Sequence, residues 1–284
     1  MLLPGMLFLL VFSFMPMFGV VIAFEKFIPT KGIFRSPWVG LGNFAYMFQL
    51  PDSAQVFFNT IVISVLKIAF GLLVPLVYSL LLNEIGVRFL KRTIQTIIYL
   101  PHFLSWVILA SLIMNLTSLD GMINVLLSSL GIKPVFFMAS NSWFKPIAVA
   151  SDVWKEAGFG TIIYLAALTG INPVLYEASV LDGASRLQQL WHVTLPGIAT
   201  TVVLLAVLSL GNVLNAGFDQ IFNLYNPLVY ASADIIDTYV YRTGLVNAQY
   251  GLATAVGLMK SVVSLGLIVL SYKLADRFAN YRIF

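Results

Sequence analysis

EASVLDGASRLQQLWHVTLP, residues 177–196, is the one long polar segment between two very hydrophobic ones. It is too polar to lie in lipid and too regular to be a plain loop. Asn172-Pro173 stops the apolar run before it, and Pro173 suits a first helical turn. The spacing predicts a helix over 174–182, a turn at Gly183 that a side chain would crowd, and a second helix over 184–192, with Pro196 opening the next apolar run. The alternative is an amphipathic helix lying on lipid head groups. That would carry Lys and Arg along its polar face, whereas this segment has one Arg and two acids.

Outward from that segment, composition agrees. Of 284 residues, 60% are hydrophobic and 10% charged, with a mean hydropathy of +0.93. A soluble domain would carry about 25% charged residues. Apolar runs of about 20 residues recur, each long enough to cross a hydrocarbon core of roughly 30 Å as a helix. A helix satisfies its own backbone polar groups in lipid. The expected fold class is therefore an all-α membrane protein, a single transmembrane domain over 1–284. Its six spans are expected at about 2–24, 56–82, 94–118, 147–170, 199–222 and 251–275, with a polar loop at 171–198. The first span has neither the basic leader nor the small-residue cleavage site of a signal peptide, and its apolar run is too long. Its abrupt start at Met1 suggests that a natural N-terminus is missing. Without cysteine there is no disulfide framework and no Cys-based metal or redox centre. The pI is near 9.2, but the cations are spread too thinly for a nucleic-acid surface.

Charge sets the orientation. The short 83–93 connection holds Arg88, Lys91 and Arg92, and the C-terminal tail holds Lys273, Arg277 and Arg282. The longer connections on the other side hold Lys26, Lys31, Arg35, Lys133, Lys145 and Arg242, offset by Glu25, Asp52, Asp120, Asp234 and Asp237. The excess of Lys and Arg predicts that the 83–93 side is cytoplasmic. The 171–198 loop and both termini then face the cytoplasm too.

Glu177, Ala178 and Ser179 are followed after three residues by Gly183, and after nine more by Val193, Leu195 and Pro196. This resembles the EAA loop of the permease subunits of binding-protein-dependent ABC importers, with Ser179 replacing the third motif residue and Val193 an isoleucine. Leu3-Pro4-Gly5, Gly42-Asn43-Phe44, Asn59-Thr60, Leu100-Pro101, Trp154-Lys155-Glu156-Ala157-Gly158 and Tyr176-Glu177-Ala178 are similar to landmarks of the carbohydrate branch. The likeness covers nearly the whole length. It is greatest to the subgroup importing oligosaccharides and depolymerised polysaccharides, including lipoprotein-linked and alginate-type systems. The resemblance implies a type I importer permease in a bacterial cytoplasmic membrane, paired with a second homologous permease, so that a heterodimer forms the pore. It also implies two ABC ATPase subunits that carry ATP and Mg, an extracytoplasmic solute-binding protein and a saccharide substrate. Residues Glu177, Ala178, Ser179, Asp182, Gly183, Ala184, Leu195 and Pro196 would form the coupling helix that docks in an ATPase cleft, with Glu177 the ion-pair partner of an ATPase Arg. The chain lacks a GxxxxGK[ST] phosphate loop and is not expected to be an enzyme.

Within the spans, a rise of 1.5 Å per residue puts Lys67, Lys155, Glu156, Asn212, Asn215 and Lys260 at a common height, roughly 20–24 Å from the cytoplasmic span ends. Ionisable groups inside spans face a watery pathway or each other. Pathway lining and structural pairing are both open. Lys67, Lys155, Glu156 and Lys260 alone sum to plus two, a charge that would favour an acidic oligosaccharide. Trp154, Tyr164 and Phe218 beside this layer are candidates for substrate contact, weighed against lipid or helix packing. Trp38, Trp106, Trp143, Tyr46 and Tyr250 read as interfacial anchors. His102, placed near the cytoplasmic end of the third span, and His192 in the loop are far apart and without nearby acids, which argues against zinc; no metal site is expected. The polar and aromatic connection 223–250 reads as a platform for the binding protein or a lid, and 119–140 as holding a short helix at the outer surface. Two other functions compete. One is the same permease architecture serving glycerol phosphate, a polyamine or an amino acid. The other is a secondary transporter, which would show repeats with broken helices at matching positions.

Overall fold

The computed structural model describes residues 2–279; Arg282 of the basic tail lies outside them, as do the side-chain surroundings of Arg277. Among these residues there is no strand, only a single bridge between Glu25 and Trp38. In chain order the helices are α1 (Leu3–Phe24), α2 (Gly42–Gln49), α3 (Pro51–Glu84), α4 (Arg88–Tyr99), α5 (Trp106–Thr117), α6 (Met122–Ser129), α7 (Asn141–Thr169), α8 (Pro173–Leu181), α9 (Arg186–Leu210), α10 (Phe218–Leu224), α11 (Tyr230–Ala233), α12 (Ile236–Tyr241) and α13 (Tyr250–Ala279). α1, α3, the stretch Trp106–Ser129 that holds α5 and α6, α9 and α13 are each long and apolar enough to cross a membrane. α7 qualifies together with α8, which bends away from it by 68°.

The third span departs from the sequence expectation. It is broken: α4 ends at Tyr99, a 3-10 turn covers Leu100–Phe103, and α5 restarts at Trp106 behind Ser105, whose hydroxyl accepts from the Ile108 amide. Pro101 is the cause, since it lacks an N–H and clashes with the preceding turn. The predicted start of the fifth span at Pro196 also fails. α9 runs unbroken from Arg186 through Pro196, because a wide turn over Leu190–Thr194 absorbs the proline. The same device precedes Pro16 in α1, over Leu10–Phe14.

α3 and α7 make the most extensive helix pair, followed by α9 with α13. Gly158 lets α4 close on α7. A Cβ there would lie 1.9 Å from the Ile98 carbonyl oxygen. The main core lies at the end of the bundle far from α8. Ile63, Phe144, Ile221, Leu224, Val229 and Ile235 meet there, beside a second cluster around Met47, Val56, Ile236 and Leu252. A smaller cluster of Leu168, Ile171 and Ile198 holds the α8 end.

The middle of the connection after α10 is folded into the bundle, while Leu228, Leu245 and Val246 on either side of it stay exposed. From Ser232 to Gly244 it is buried or half-buried throughout. Asn59 on α3 donates to the Ala231 and Asp234 carbonyls at 3.1 Å each, and the Thr60 hydroxyl accepts from the Ile236 amide at 2.9 Å. Satisfied backbone can be buried, so this stretch folds in rather than standing out. α6 is the short helix expected within 119–140. It is fixed by buried Asn124, which donates to the Ser118 and Val135 carbonyls and accepts from the Val135 amide.

Candidate functional site

Two sets of residues stand out, one at the α8 end of α7 and one at its middle. At the α8 end, the Asn172 side chain accepts from the Val174 amide and Pro173 takes the first turn of α8, as the sequence predicts. Asp182 ends the helix and Gly183 turns the chain with φ +77. No atom lies within 4 Å of a Cβ built on Gly183. Glycine is therefore required by the left-handed backbone and not by crowding, which corrects the expected reason. The second helix begins at Arg186, two residues later than predicted. Ser185 and Gln188 form a reciprocal capping box there, each side chain accepting from the other residue's amide.

The two arms are pinned together. The Gln189 amide donates to the Ser179 hydroxyl at 3.0 Å, and Tyr176 and Thr194 share a hydrogen bond of 3.0 Å. Arg186 also reaches Glu84 at the end of α3, at 2.9 Å. Ser179, Asp182, Gly183, Ala184, Gln188 and His192 surround a shallow groove of about 280 Å3. Glu177 and Ala178 are exposed beside it, while Leu195 and Pro196 continue into α9. Leu181 is 88% exposed and Trp191 61%. The loop is thus a pinned bracket that presents two bare apolar side chains.

The second set is the predicted polar layer, which separates into three pairs. Lys67 is buried. Its ammonium donates to the Ala216 carbonyl at 2.7 Å and to Gln220, and it pairs with Asp152 at 3.0 Å. Gln220 in turn donates to the Ala148 carbonyl and the Ser151 hydroxyl. Spans α3 and α7 are thereby joined to the break that follows α9, where the chain turns at Gly217 with φ +88. Lys155 donates to the His102 carbonyl at 2.6 Å and pairs with Glu156 at 3.2 Å. The other Glu156 oxygen lies 2.7 Å from His102 Nδ1. His102 therefore sits at the span break level with Glu156, not near the span end and not without an acid. Among the described residues no group of three potential ligands could hold a metal ion. Lys260 pairs with Asp237 at 2.5 Å. Asp152 and Asp237 cancel the plus two counted from sequence.

Of the remaining candidates, Asn212 and Asn215 are exposed in the turn after α9, Trp154 is exposed, and Tyr164 is buried. Phe218 starts an aromatic run through Phe222, Tyr225 and Tyr230, with ring centres 5.2–6.1 Å apart. The run ends under Arg242, whose guanidinium lies 4.3 Å from the Tyr230 ring centre and pairs with Asp234 at 2.5 Å. Burial raises the Asp234 carboxyl above its ordinary value, against the hydrogen bonds from Arg242 and Thr238. Burial likewise pushes the Tyr225 phenol up to about 12, with help from Tyr230 and Asp234.

Residues 67–280 match the family described as binding-protein-dependent transport system inner membrane component. The chain belongs to that family. The permease is 43% identical to the polygalacturonan/rhamnogalacturonan transport system permease protein YteP of Bacillus subtilis strain 168, over all of this chain and 89% of the relative. It is 42% identical to protein LplB of the same organism, over all of this chain and 90% of the relative. Among solved structures it resembles the crystal structure of a bacterial ABC transporter involved in the import of the acidic polysaccharide alginate, with a TM-score of 0.90 and 40% identity. That match covers 98% of the permease and 94% of the solved chain. The same transporter type was also solved in complex with an alginate pentasaccharide-bound periplasmic protein; that chain has a TM-score of 0.90, 39% identity, and coverage of 100% and 95%. The permease is an integral membrane transport subunit with the type I importer fold.

Proposed function

We propose that the permease forms half of the translocation pathway of an ATP-driven importer for oligosaccharides cut from an acidic polysaccharide. The observation that carries this is the near full-length likeness, at 40–43% identity, to one relative named for polygalacturonan and rhamnogalacturonan and to another involved in alginate import. A second homologous permease completes the pore. An extracytoplasmic binding protein delivers the sugar, and two ATPase subunits hold ATP and Mg. The 177–196 bracket docks on one ATPase from the cytoplasmic side, its exposed Leu181 and Trp191 entering the cleft and Glu177 pairing with an Arg. Because α9 continues the bracket without a break, a push on the bracket moves that span as a rigid body. Both termini lie in the cytoplasm, in keeping with Arg88, Lys91 and Arg92 on that side.

The balanced ion pairs favour a second reading, in which the substrate is a neutral oligosaccharide. Three lysines in the layer face three carboxylates, so no net charge attracts an anion. Uptake by the assembled transporter in proteoliposomes, with oligogalacturonides and neutral oligosaccharides of equal length, separates the two. Preferential uptake of the acidic chains supports the proposal, and uptake of the neutral chains alone overturns it.

A further inference from the structure

A cleft of about 330 Å3 opens between the first turn of α5, the middle of α7 and α10. Trp106, Lys155, Asp219 and Asn223 line it, with Ser105 at the lip. Its depth follows from its neighbours. Gln220 bonds Ser151 on α7, and Ser151 stands roughly 27 Å along the helix from Thr169, inside a hydrocarbon core of about 30 Å. Asp219 is exposed at that depth and makes no ion pair among the described residues. A carboxylate in that position faces water, not lipid tails. The cleft therefore opens on water near the outer edge of the hydrocarbon core.

Its chemistry is particular. Lys155 has three protons. Its ammonium is directed at the His102 carbonyl and at Glu156 and stands 5.8 Å from the Trp106 ring centre, which leaves donor capacity on the cleft side. Asn223 lies one turn beyond Asp219, with its amide held on the Asp219 carbonyl at 2.7 Å. An indole face, an ammonium, a carboxylate and an amide thus converge on a volume at the small end of ligand pockets, which span about 300–1,000 Å3.

We propose that this cleft is a subsite for one pyranose ring of the passing oligosaccharide. The apolar C–H face of the sugar lies on Trp106. Its hydroxyls donate to Asp219 and bond Asn223, and Lys155 donates to a hydroxyl or to a ring carboxylate. This rests on the saccharide reading above but holds for acidic and neutral sugars alike. Trp106, read from sequence as a membrane anchor, becomes a contact residue.

The test uses the complete transporter in nanodiscs, with and without ATP. The chain has no cysteine, so the Asn223→Cys variant carries the only thiol on this subunit. The expected result is that an impermeant maleimide alkylates it, and that an oligogalacturonide or a malto-oligosaccharide slows the reaction in a concentration-dependent way. Adding Trp106→Ala should raise the half-protecting concentration about tenfold, the loss of one stacking platform. Should Asn223→Cys fail to assemble, Ser105→Cys on the lip answers the same question. A thiol that is unreactive at both positions, because lipid or the second permease covers the cleft, overturns the proposal. So does alkylation that transported sugar leaves unchanged. A wild-type transporter that imports no oligosaccharide overturns the saccharide reading itself, a distinct outcome.

Discussion

A lysine buried in a membrane span must have its protons matched, and Lys67 has Asp152, Gln220 and the Ala216 carbonyl. It works as a latch between two spans and the break after α9, not as a cationic wall of the pathway. Lys67→Met should destabilise the permease by about 3–5 kcal/mol, because it strands a carboxylate and a carbonyl. The double variant Lys67→Met/Asp152→Asn should recover a large part of that loss. Thermal unfolding of the purified transporter measures both, and a double variant no more stable than the single one would show that Asp152 is not the stranded partner. Gly183 raises a different residue-scale question. With φ +77 and open space around it, Gly183→Ala meets only backbone strain, about 1–2 kcal/mol. It should weaken substrate-stimulated ATP hydrolysis without abolishing it, and activity equal to wild type would show that the loop tolerates another turn.

At the scale of elements, the α4–α7 contact depends on a missing side chain. Gly158→Ala would drive a methyl into the Ile98 carbonyl, and overpacking of this kind costs about 1–3 kcal/mol. A lower melting temperature and poorer assembly are expected; an unchanged melt would mean that α4 can slide aside. The landmark around Trp154 is legible in this light, since Gly158 and Lys155 both hold the broken third span. Much else was open to the sequence. Asn172, Pro173 and Gly183 carry their local conformations in their own chemistry, so the bracket could be drawn before the structure. Asn59 and Thr60 could be noticed but not explained, because their partners lie more than 170 residues away. The break in the third span had its signal in Pro101, masked by the apolar residues on either side. The wide turn ahead of Pro196 had none that periodicity could show, because a helix can absorb a proline with one extra residue. Asp152 was missed although it stands one turn from Lys155. Height along a helix ranks residues but does not say which neighbouring span each one faces.

For the whole molecule, sidedness is the first consequence to check. Single cysteines introduced at Ser118 and Asn247 should react with an impermeant reagent added outside cells, and those at Gly86 and Gln188 only after the membrane is opened; the reverse pattern would overturn the orientation drawn from positive charge. The central claim is that the 177–196 bracket transmits ATPase movement to the spans. ATP-driven oligosaccharide uptake into proteoliposomes holding this permease, its homologous partner, the ATPases and the binding protein tests it most directly, with Gly183→Trp set beside the wild type. The account predicts that the variant inserts in the membrane but neither imports sugar nor hydrolyses ATP in response to it. Uptake by Gly183→Trp at the wild-type rate would contradict it.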